Sequence, residues 1–183
     1  MVKHMLRKIR IVIITLLLRI FHPSRLNIHG FQDLRFDTEL VIKNRGRISL
    51  GKRITAFRRV TLVTNGGNLH LGNFVFFNRN CIVVALHQIT IGNNCIFGPG
   101  VTIYDHDHKF SYDGIIHGKY NTSPVIIEDN CWVGANVMIL RGTHIGEGCV
   151  IGAGTVVKGE IPAHSIVTSN RELIIRPIER KMF

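Results

Sequence analysis

Apolar side chains recur at every sixth position through most of the chain. A glycine often follows the apolar residue directly, and a small or β-branched residue comes four positions after it. A six-residue period matches neither the 3.6-residue helical repeat nor the two-residue alternation of a simple strand. Five consecutive sets of three show it: Leu50, Ala56 and Leu62; Leu71, Phe77 and Val83; Ile91, Phe97 and Ile103; Ile127, Val133 and Ile139; Ile145, Ile151 and Val157.

This period predicts short strands that turn a corner every six residues. Three such strands close one triangular coil of about 18 residues, and each coil buries its apolar side chains against the next coil. Glycine at the corners permits the backbone dihedral angles that sharp turns need. The pattern therefore predicts an all-β parallel β-helix of about five to six coils with a continuous apolar core.

The four cysteines follow the same repeat. Cys81, Cys95, Cys131 and Cys149 all occupy the small position four residues after an apolar residue. No CxxC pair is present, so neither a zinc site nor a disulfide set is indicated. We expect four buried thiols that act as small apolar core residues, and burial argues against a nucleophilic cysteine.

The repeat fails at one place. After Ile103 the small position falls on Asp107, and the pattern returns only at residues 125–127. The sequence therefore predicts that residues of about 107–124 leave the solenoid as a loop. Binding and catalytic residues concentrate in loops on rigid scaffolds.

The stretch YDHDHKF, residues 104–110, lies where the repeat fails. His106 and His108 are two residues apart, so both project from one side of an extended segment. Imidazole suits proton transfer near neutral pH. Either Asp105 or Asp107 can fix the tautomer of such a base, with Glu128 as a more remote alternative. A solvated turn without chemistry is the competing interpretation.

Two segments carry a resemblance to a known family: ITIGNNCIFGPGVTIYDHDH and VIIEDNCWVGANVMILRGTHIGEGCVIGAGTVVKGEIPAHSIV. They resemble the hexapeptide-repeat acyltransferases, which are left-handed parallel β-helices. The similarity covers residues of about 40–178, and the maltose, galactoside and polysaccharide O-acetyltransferase branch is closest. The resemblance implies a homotrimer with acetyl-CoA bound in grooves between neighbouring β-helices.

The same resemblance implies roles for individual residues. It makes His108, in preference to His106, the general base. Asn78, Asn80 and Trp132 match acceptor-side positions, and Ala135 and Ala153 match positions whose backbone contacts the CoA arm. Lys158 is shifted by one residue from the lysine of the family, and Arg176 matches an arginine near the nucleotide. The GNPA segment of the family is replaced by TSNRELIIR, which departs from the pattern of the family at the CoA-binding end.

A zinc site is a weaker interpretation. Hexapeptide-repeat carbonic anhydrases hold zinc with three histidines, and His106, His108 and His117 would be the candidates here. Their spacing within one loop does not match that family, whose ligands come from successive coils. We therefore expect no metal.

Charge and the N-terminus bear on partners. A length of 183 residues suits a single domain, and a formal net charge of +11 favours anionic partners. The sequence lacks the recognition elements of nucleic-acid binders. The apolar run of residues 11–18 is too short for a bilayer, which needs about 20 residues. Without a convincing signal-peptide cleavage site, residues 1–23 are expected to form an amphipathic helix. That helix lies either on an anionic membrane or against the base of the trimer.

The remaining boundaries complete the prediction. Residues 24–178 form the acyltransferase domain, with an irregular cap over residues 24–47, and residues 179–183 form a basic tail. We predict an acetyl-CoA-dependent O-acetyltransferase that acts on a sugar hydroxyl in surface-polysaccharide or glycolipid synthesis, in the cytoplasm or at the inner face of the plasma membrane. Two alternatives stay open: N-acetylation of a nucleotide-linked amino sugar, and a non-catalytic β-helix scaffold.

Overall fold

The protein is an all-β parallel solenoid of about six turns, as the six-residue period predicts, and this architecture is consistent with a left-handed β-helix. The computed structural model describes residues 24–112 and 114–169, together with eight helical positions between Leu6 and Phe21. Each turn contributes one strand to each of three parallel sheets, here called faces A, B and C. A two-stranded antiparallel hairpin projects from the solenoid.

The strands are numbered in chain order. Face A contains β1 (Leu26–Ile28), β4 (Arg47–Leu50), β7 (Asn68–Leu71), β10 (Gln88–Ile91), β15 (Val125–Ile127), β18 (His144–Ile145) and β21 (Glu160–Ile161). Face B contains β2 (Asp33–Leu34), β5 (Thr55–Ala56), β8 (Phe76–Phe77), β11 (Ile96–Phe97), β16 (Trp132–Val133), β19 (Val150–Ile151) and β22 (Ile166–Val167). Face C contains β3 (Glu39–Lys43), β6 (Thr61–Asn65), β9 (Ile82–Ala85), β12 (Thr102–Tyr104), β17 (Met138–Ile139) and β20 (Val156–Val157). The hairpin consists of β13 (His106–Ser111) and β14 (Gly114–Thr122).

The register stacks the repeat positions directly on one another. On face A, for example, Leu71 pairs with Ile91, Ile91 with Ile127, and Ile127 with Ile145. All fifteen repeat positions are buried in the resulting column. The Phe77 and Phe97 rings stack inside it with centroids 4.8 Å apart. The predicted core is therefore confirmed.

The four cysteines lie inside the column as free, buried thiols, which confirms their predicted position. Each sulfur lies within hydrogen-bond distance of a backbone carbonyl, for example Cys81 Sγ at 3.2 Å from the Gly98 oxygen. Burial raises the pKa of the Cys81 thiol to about 11. Interaction between the thiols of Cys95 and Cys131 raises the pKa of Cys95 and lowers that of Cys131. Both sulfurs are enclosed in the core, so neither is placed to attack a substrate.

The turns from face A to face B are joined by a ladder of side-chain amides and one carboxylate. The Asn73 side chain accepts a hydrogen bond from the Lys52 N–H, and the Asn93 side chain accepts one from the Asn73 N–H. Asp129 continues the ladder by accepting the N–H of Asn93 at 2.7 Å. These bonds satisfy backbone donors that the sharp turns leave without a strand partner.

The N-terminal part of the solenoid is more regular than expected. The predicted irregular cap over residues 24–47 is wrong, because β1, β2 and β3 pair in register with β4, β5 and β6. The buried side chains of Leu26, Ile28 and Leu34 extend the apolar column to this end.

The N-terminal segment contributes apolar surface. Its eight described helical positions are all apolar and exposed: Leu6, Ile9, Val12, Ile13, Leu16, Leu17, Ile20 and Phe21. No helix within the described part of the chain combines the length and apolar character needed to cross a membrane. The predicted domain end at residue 178 and the tail of residues 179–183 lie outside the described residues.

Candidate active site

The interruption of the repeat is an antiparallel hairpin that leaves the turn from face C to face A. The chain departs at His106, slightly before the predicted residue 107, and the segment is a paired β-ribbon, not an irregular loop. The Ser123 N–H donates to the Asp105 carbonyl at 2.9 Å and closes the base of the hairpin. The solenoid resumes at the buried Val125.

Asp105 is a fully buried carboxylate at the base of the hairpin. It occupies the level that Ala85 and Thr64 occupy in the two preceding turns of face C. Its oxygens accept the backbone N–H groups of Leu86 at 2.9 Å and His87 at 2.7 Å, from the turn of the preceding coil. The carboxylate thus ties the hairpin base to the coil beneath it.

The electrostatics of Asp105 favour its ionised form. Burial acts to raise the pKa of this carboxyl, but hydrogen bonds from His106 and from the two backbone N–H groups outweigh burial and hold the pKa below its usual value. His106 Nδ1 lies 3.1 Å from Asp105 Oδ1. An ionised carboxylate only accepts hydrogen bonds, so Nδ1 of His106 carries a proton and Nε2 faces away from the carboxylate.

The two histidines share one aromatic neighbour. Tyr120 of β14 lies opposite His108 in the hairpin register. Its ring centroid is 5.5 Å from that of His106 and 4.9 Å from that of His108. His106 also meets Tyr104 edge to face at 5.8 Å. The expected projection of both imidazoles from one side of the strand agrees with this packing.

The two histidines differ in solvent exposure. The side chain of His106 is only 14% exposed, between Asp105 and the two tyrosines. His108 is exposed and has no carboxylate hydrogen-bond partner among the described residues. His106 is therefore fixed in orientation, whereas His108 is open to a molecule that approaches from outside.

Asp107 faces a different partner. Its carboxylate accepts a short hydrogen bond from Nε of Arg141, which belongs to the next turn from face C to face A. Asp107 thus anchors the hairpin to the solenoid, and of the two candidate aspartates only Asp105 bonds to an imidazole. Glu128, the more remote candidate, bonds instead to His144 Nε2 at 2.8 Å and to the N–H of Glu147.

Four predicted ligand-binding residues lie at another corner, the turns from face B to face C, here called the B–C corner. Asn78 and Asn80 belong to the turn that follows β8, and Asn80 has a positive φ of 60°. Ala135 and Ala153 occupy equivalent positions of the two later turns, because the Gly154 N–H donates to the Ala135 carbonyl. A Cβ on Gly98 would lie 2.7 Å from the Ala135 nitrogen, so the backbones stack closely here.

The other predicted residues are dispersed. Trp132 projects outward from face B with 56% of its surface exposed, between Ile96 and Val150. Lys158 is exposed in the last described turn from face C to face A, on the same edge as the hairpin. Arg176 lies outside the described residues.

Within one chain, the structure brings Asp105, His106 and His108 together. It places Asn78, Asn80, Ala135 and Ala153 at the opposite edge of face C.

His117, the third histidine of the zinc hypothesis, is exposed on β14. Across residues 24–112 and 114–169, no three histidine, cysteine or acidic side chains converge as a metal-binding group.

Two contact residues were missed by the sequence analysis: Tyr120, which contacts both imidazoles, and Arg141, which binds Asp107. Both contacts join residues distant in sequence. The one available signal was the return of the apolar pattern at residues 125–127, which places Tyr120 near the end of the interruption.

Comparisons with known proteins agree with this architecture. The family model described as the hexapeptide repeat of succinyl-transferase matches residues 124–158. The galactoside O-acetyltransferase of Lactococcus lactis is 36% identical over 118 residues, which are 64% of this chain and 57% of that protein. The galactoside O-acetyltransferase of Escherichia coli is 33% identical over 113 residues, 62% of this chain and 56% of that protein. The chain thus spans a little over half the length of these curated relatives.

A solved structure extends the similarity of fold. AntD, an N-acyltransferase from Bacillus cereus, superimposes with a TM-score of 0.65 at 18% identity, over 81% of this chain and 82% of that one; the AntD structure is a D94N mutant in complex with dTDP and coenzyme A. The six-residue repeat, the parallel three-faced solenoid and these relatives together make the chain similar to the hexapeptide-repeat acyltransferases.

Proposed function

We propose that the protein is an acetyl-CoA-dependent O-acetyltransferase that acts on a sugar hydroxyl. The observation that carries the proposal is the hairpin site. It holds two imidazoles side by side, at the one described place where the repeat opens, in a chain that is 36% and 33% identical to two galactoside O-acetyltransferases. Surface-polysaccharide or glycolipid synthesis is the setting we propose for the acceptor.

His108 serves as the general base in this proposal. Its exposed ring can take the proton from an attacking sugar hydroxyl, while that hydroxyl oxygen adds to the thioester carbonyl of acetyl-CoA. Collapse of the tetrahedral intermediate then expels the CoA thiolate and leaves the acetyl ester. His106 is held by Asp105 and packs on the ring of Tyr120, which also packs on His108. Through Tyr120, His106 keeps the His108 ring in position.

His106 is the second candidate for the base. Its Nδ1 is fixed by an ionised carboxylate, which is the arrangement that orients imidazole bases in other acyl-transfer enzymes. Its low exposure argues for the positioning role, because a base needs access to the hydroxyl. A direct comparison of the two alanine variants separates these roles.

The acetyl donor is proposed to lie along the B–C corner. Ala135 and Ala153 have small side chains that allow a ligand close to the backbone. Arg176 and Lys158 are proposed to contact its phosphates, and Lys158 would do so from the hairpin edge of face C. Asn78, Asn80 and Trp132 are the proposed contacts to the acceptor. An asparagine or a backbone N–H there would stabilise the oxyanion, typically by about 3 kcal/mol.

This assignment calls for more than one copy of the chain. The histidines and the proposed donor residues Ala135 and Ala153 lie at opposite edges of face C. A complete site forms when the hairpin edge of one copy meets the B–C corner of a neighbour, so we propose a homotrimer with three shared sites.

We further propose that the N-terminal helix binds an anionic membrane surface. Its eight described apolar positions are exposed, and the first 32 residues carry no acid but include Lys3, Arg7, Lys8, Arg10 and Arg19. Apolar area and basic charge together favour anionic lipid.

Sedimentation of the protein with anionic vesicles, and not with zwitterionic ones, is the expected result. Loss of vesicle binding should follow from Leu16→Ser with Ile20→Ser. Vesicle-independent assembly through this helix would contradict the proposal.

The activity itself is tested by product chemistry. The full chain is incubated with acetyl-CoA and either a neutral sugar or a nucleotide-linked amino sugar, and the product is treated with mild alkali. An ester is cleaved and an amide survives, so an alkali-labile product supports O-acetylation. An alkali-stable product would support the N-acetylation alternative, and no transfer to any acceptor would support a scaffold.

A further inference from the structure

The B–C corner changes its chemistry along the solenoid. Backbone hydrogen bonds stack its turns coil on coil: Asn80 N–H to the Arg58 carbonyl, Gly100 N–H to the Arg79 carbonyl, and Asn136 N–H to the Pro99 carbonyl. Gly154 N–H to Ala135 continues the series. One position of the corner is therefore occupied, in successive coils, by Arg58, Arg79, Pro99, Ala135 and Ala153. Small residues at the C-terminal end give way to arginines at the N-terminal end.

The arginines surround a small cavity. Arg35, Arg58 and Arg79 line a space of about 160 Å³ together with Phe57. The guanidinium carbon of Arg35 lies 5.8 Å from the centroid of the Phe57 ring, and Phe57 packs edge to face on Phe76 at 5.0 Å. Arg35 thus lines the cavity with its guanidinium over a ring that a second aromatic side chain supports.

None of the three arginines forms an ion pair with a described residue. Asp33 and Asp37 flank Arg35 in sequence, but no acid occurs between Glu39 and Asp105, the stretch that contains Arg58 and Arg79. Three neighbouring cations repel one another, so an anion between them is favoured. Guanidinium groups bind phosphate oxygens with paired hydrogen bonds.

We propose that Arg35, Arg58 and Arg79 bind a phosphate or pyrophosphate group of the acceptor. This inference rests on the proposed function, because it assumes that the B–C corner holds donor and acceptor together. The cluster adjoins the predicted acceptor residues Asn78 and Asn80. Arg79 lies three coils from Ala153, a separation of about 14 Å at the usual strand spacing. The acceptor is then a phosphorylated sugar, not a neutral one.

The first test measures binding alone. Inorganic pyrophosphate is titrated by calorimetry into the full chain and into the triple variant Arg35→Ala, Arg58→Ala, Arg79→Ala. A control triple, Lys43→Ala, Arg47→Ala, Lys52→Ala, removes the same charge from exposed positions elsewhere. We expect affinity to fall at least about tenfold in the arginine triple and to stay near wild type in the control. Equal affinity in all three proteins would overturn the proposal.

The second test measures transfer to three acceptors: a nucleoside-diphosphate sugar, a prenyl-pyrophosphate-linked sugar, and the same sugar without phosphate. In the arginine triple, kcat/KM should fall at least about tenfold for the phosphorylated acceptors, and the KM of acetyl-CoA should not change. The phosphorylated acceptor preferred by the wild type identifies the source of the phosphate. The phosphate-free sugar should be a poor substrate that the substitutions leave unaffected.

Two results would overturn the assignment. A rise in the KM of acetyl-CoA, with acceptor kinetics unchanged, would place the cluster at the donor. An equal loss of kcat/KM for phosphorylated and phosphate-free sugars would show that the arginines do not act through the phosphate group. Failure of the proposed function itself looks different, because the wild type would then transfer acetyl to none of the acceptors while the pyrophosphate titration still reports on the cluster.

Discussion

His106 Nδ1 lies 3.1 Å from Oδ1 of the buried Asp105, and the same carboxylate accepts the N–H groups of Leu86 and His87. One side chain thus fixes the orientation of an imidazole and joins the hairpin to the coil beneath it. The geometry of the candidate site therefore depends on a carboxylate that does not face the substrate.

Replacing the Asp105 carboxylate should weaken catalysis because the imidazole and the hairpin base would no longer be held in place. Asp105→Asn keeps the shape but has one carbonyl acceptor for three donors, and a misplaced catalytic group typically costs on the order of 10- to 100-fold in rate. We expect kcat to fall by that amount while the KM of acetyl-CoA is unchanged. Asp129→Asn is the matched control, since Asp129 also accepts a backbone N–H but at a corner away from the hairpin. Equal effects of the two substitutions on kcat would contradict the positioning role.

The same carboxylate predicts an acid-dependent loss of stability. The pKa of Asp105 is lower in the folded protein than its usual value, so the stabilisation is fully present above the unfolded pKa of about 3.9. It is lost as pH falls through the folded pKa. Denaturant melts from neutral pH down to about pH 3 should show wild type and Asp105→Asn converging. A constant difference over that range would be inconsistent with an ionised Asp105.

His144 predicts the opposite dependence on pH. Hydrogen bonding to Glu128 raises the pKa of His144, with Glu160 on its other ring nitrogen at 2.9 Å. Its contribution is fully present below the unfolded pKa of about 6.5 and is lost as pH rises through the folded pKa. The stability advantage of wild type over His144→Gln should shrink from acidic to alkaline pH. An advantage that grew with pH would contradict this assignment.

The stacked Phe77 and Phe97 rings should be a major source of stability. Phe97→Ala removes a buried ring from the column, and such substitutions typically cost about 3–5 kcal/mol in the free energy of unfolding. Chemical denaturation gives this value directly. Phe36→Ala, at a side chain that is 81% exposed, is the control and should change stability little. Similar losses for both would argue against the continuous core.

The sequence predicts the parts of this fold that repeat. The core positions follow from the six-residue period, because each coil buries side chains only against its neighbours. The cysteines follow for the same reason, and the interruption is visible because Asp107 falls where a small residue belongs. The irregular cap over residues 24–47 was a wrong prediction, since Leu26 and Leu34 continue the period less visibly.

The site is less predictable, because its contacts join residues far apart in the chain. Asp105 occupies a level that holds alanine or threonine in earlier coils, and its donors come from the previous turn. Nothing near Tyr120 in sequence indicates that its ring contacts both histidines. The arginine cluster is equally dispersed, since Arg35, Arg58 and Arg79 meet only when three coils stack.

The most direct test of the account compares acetyl transfer from acetyl-CoA to a sugar hydroxyl by wild type, His108→Ala, His106→Ala and the exposed control His70→Ala. If His108 is the general base, its removal should lower kcat by about 100-fold or more, His106→Ala should have a smaller effect, and His70→Ala should match wild type. Near-normal transfer by a folded His108→Ala protein would contradict the account.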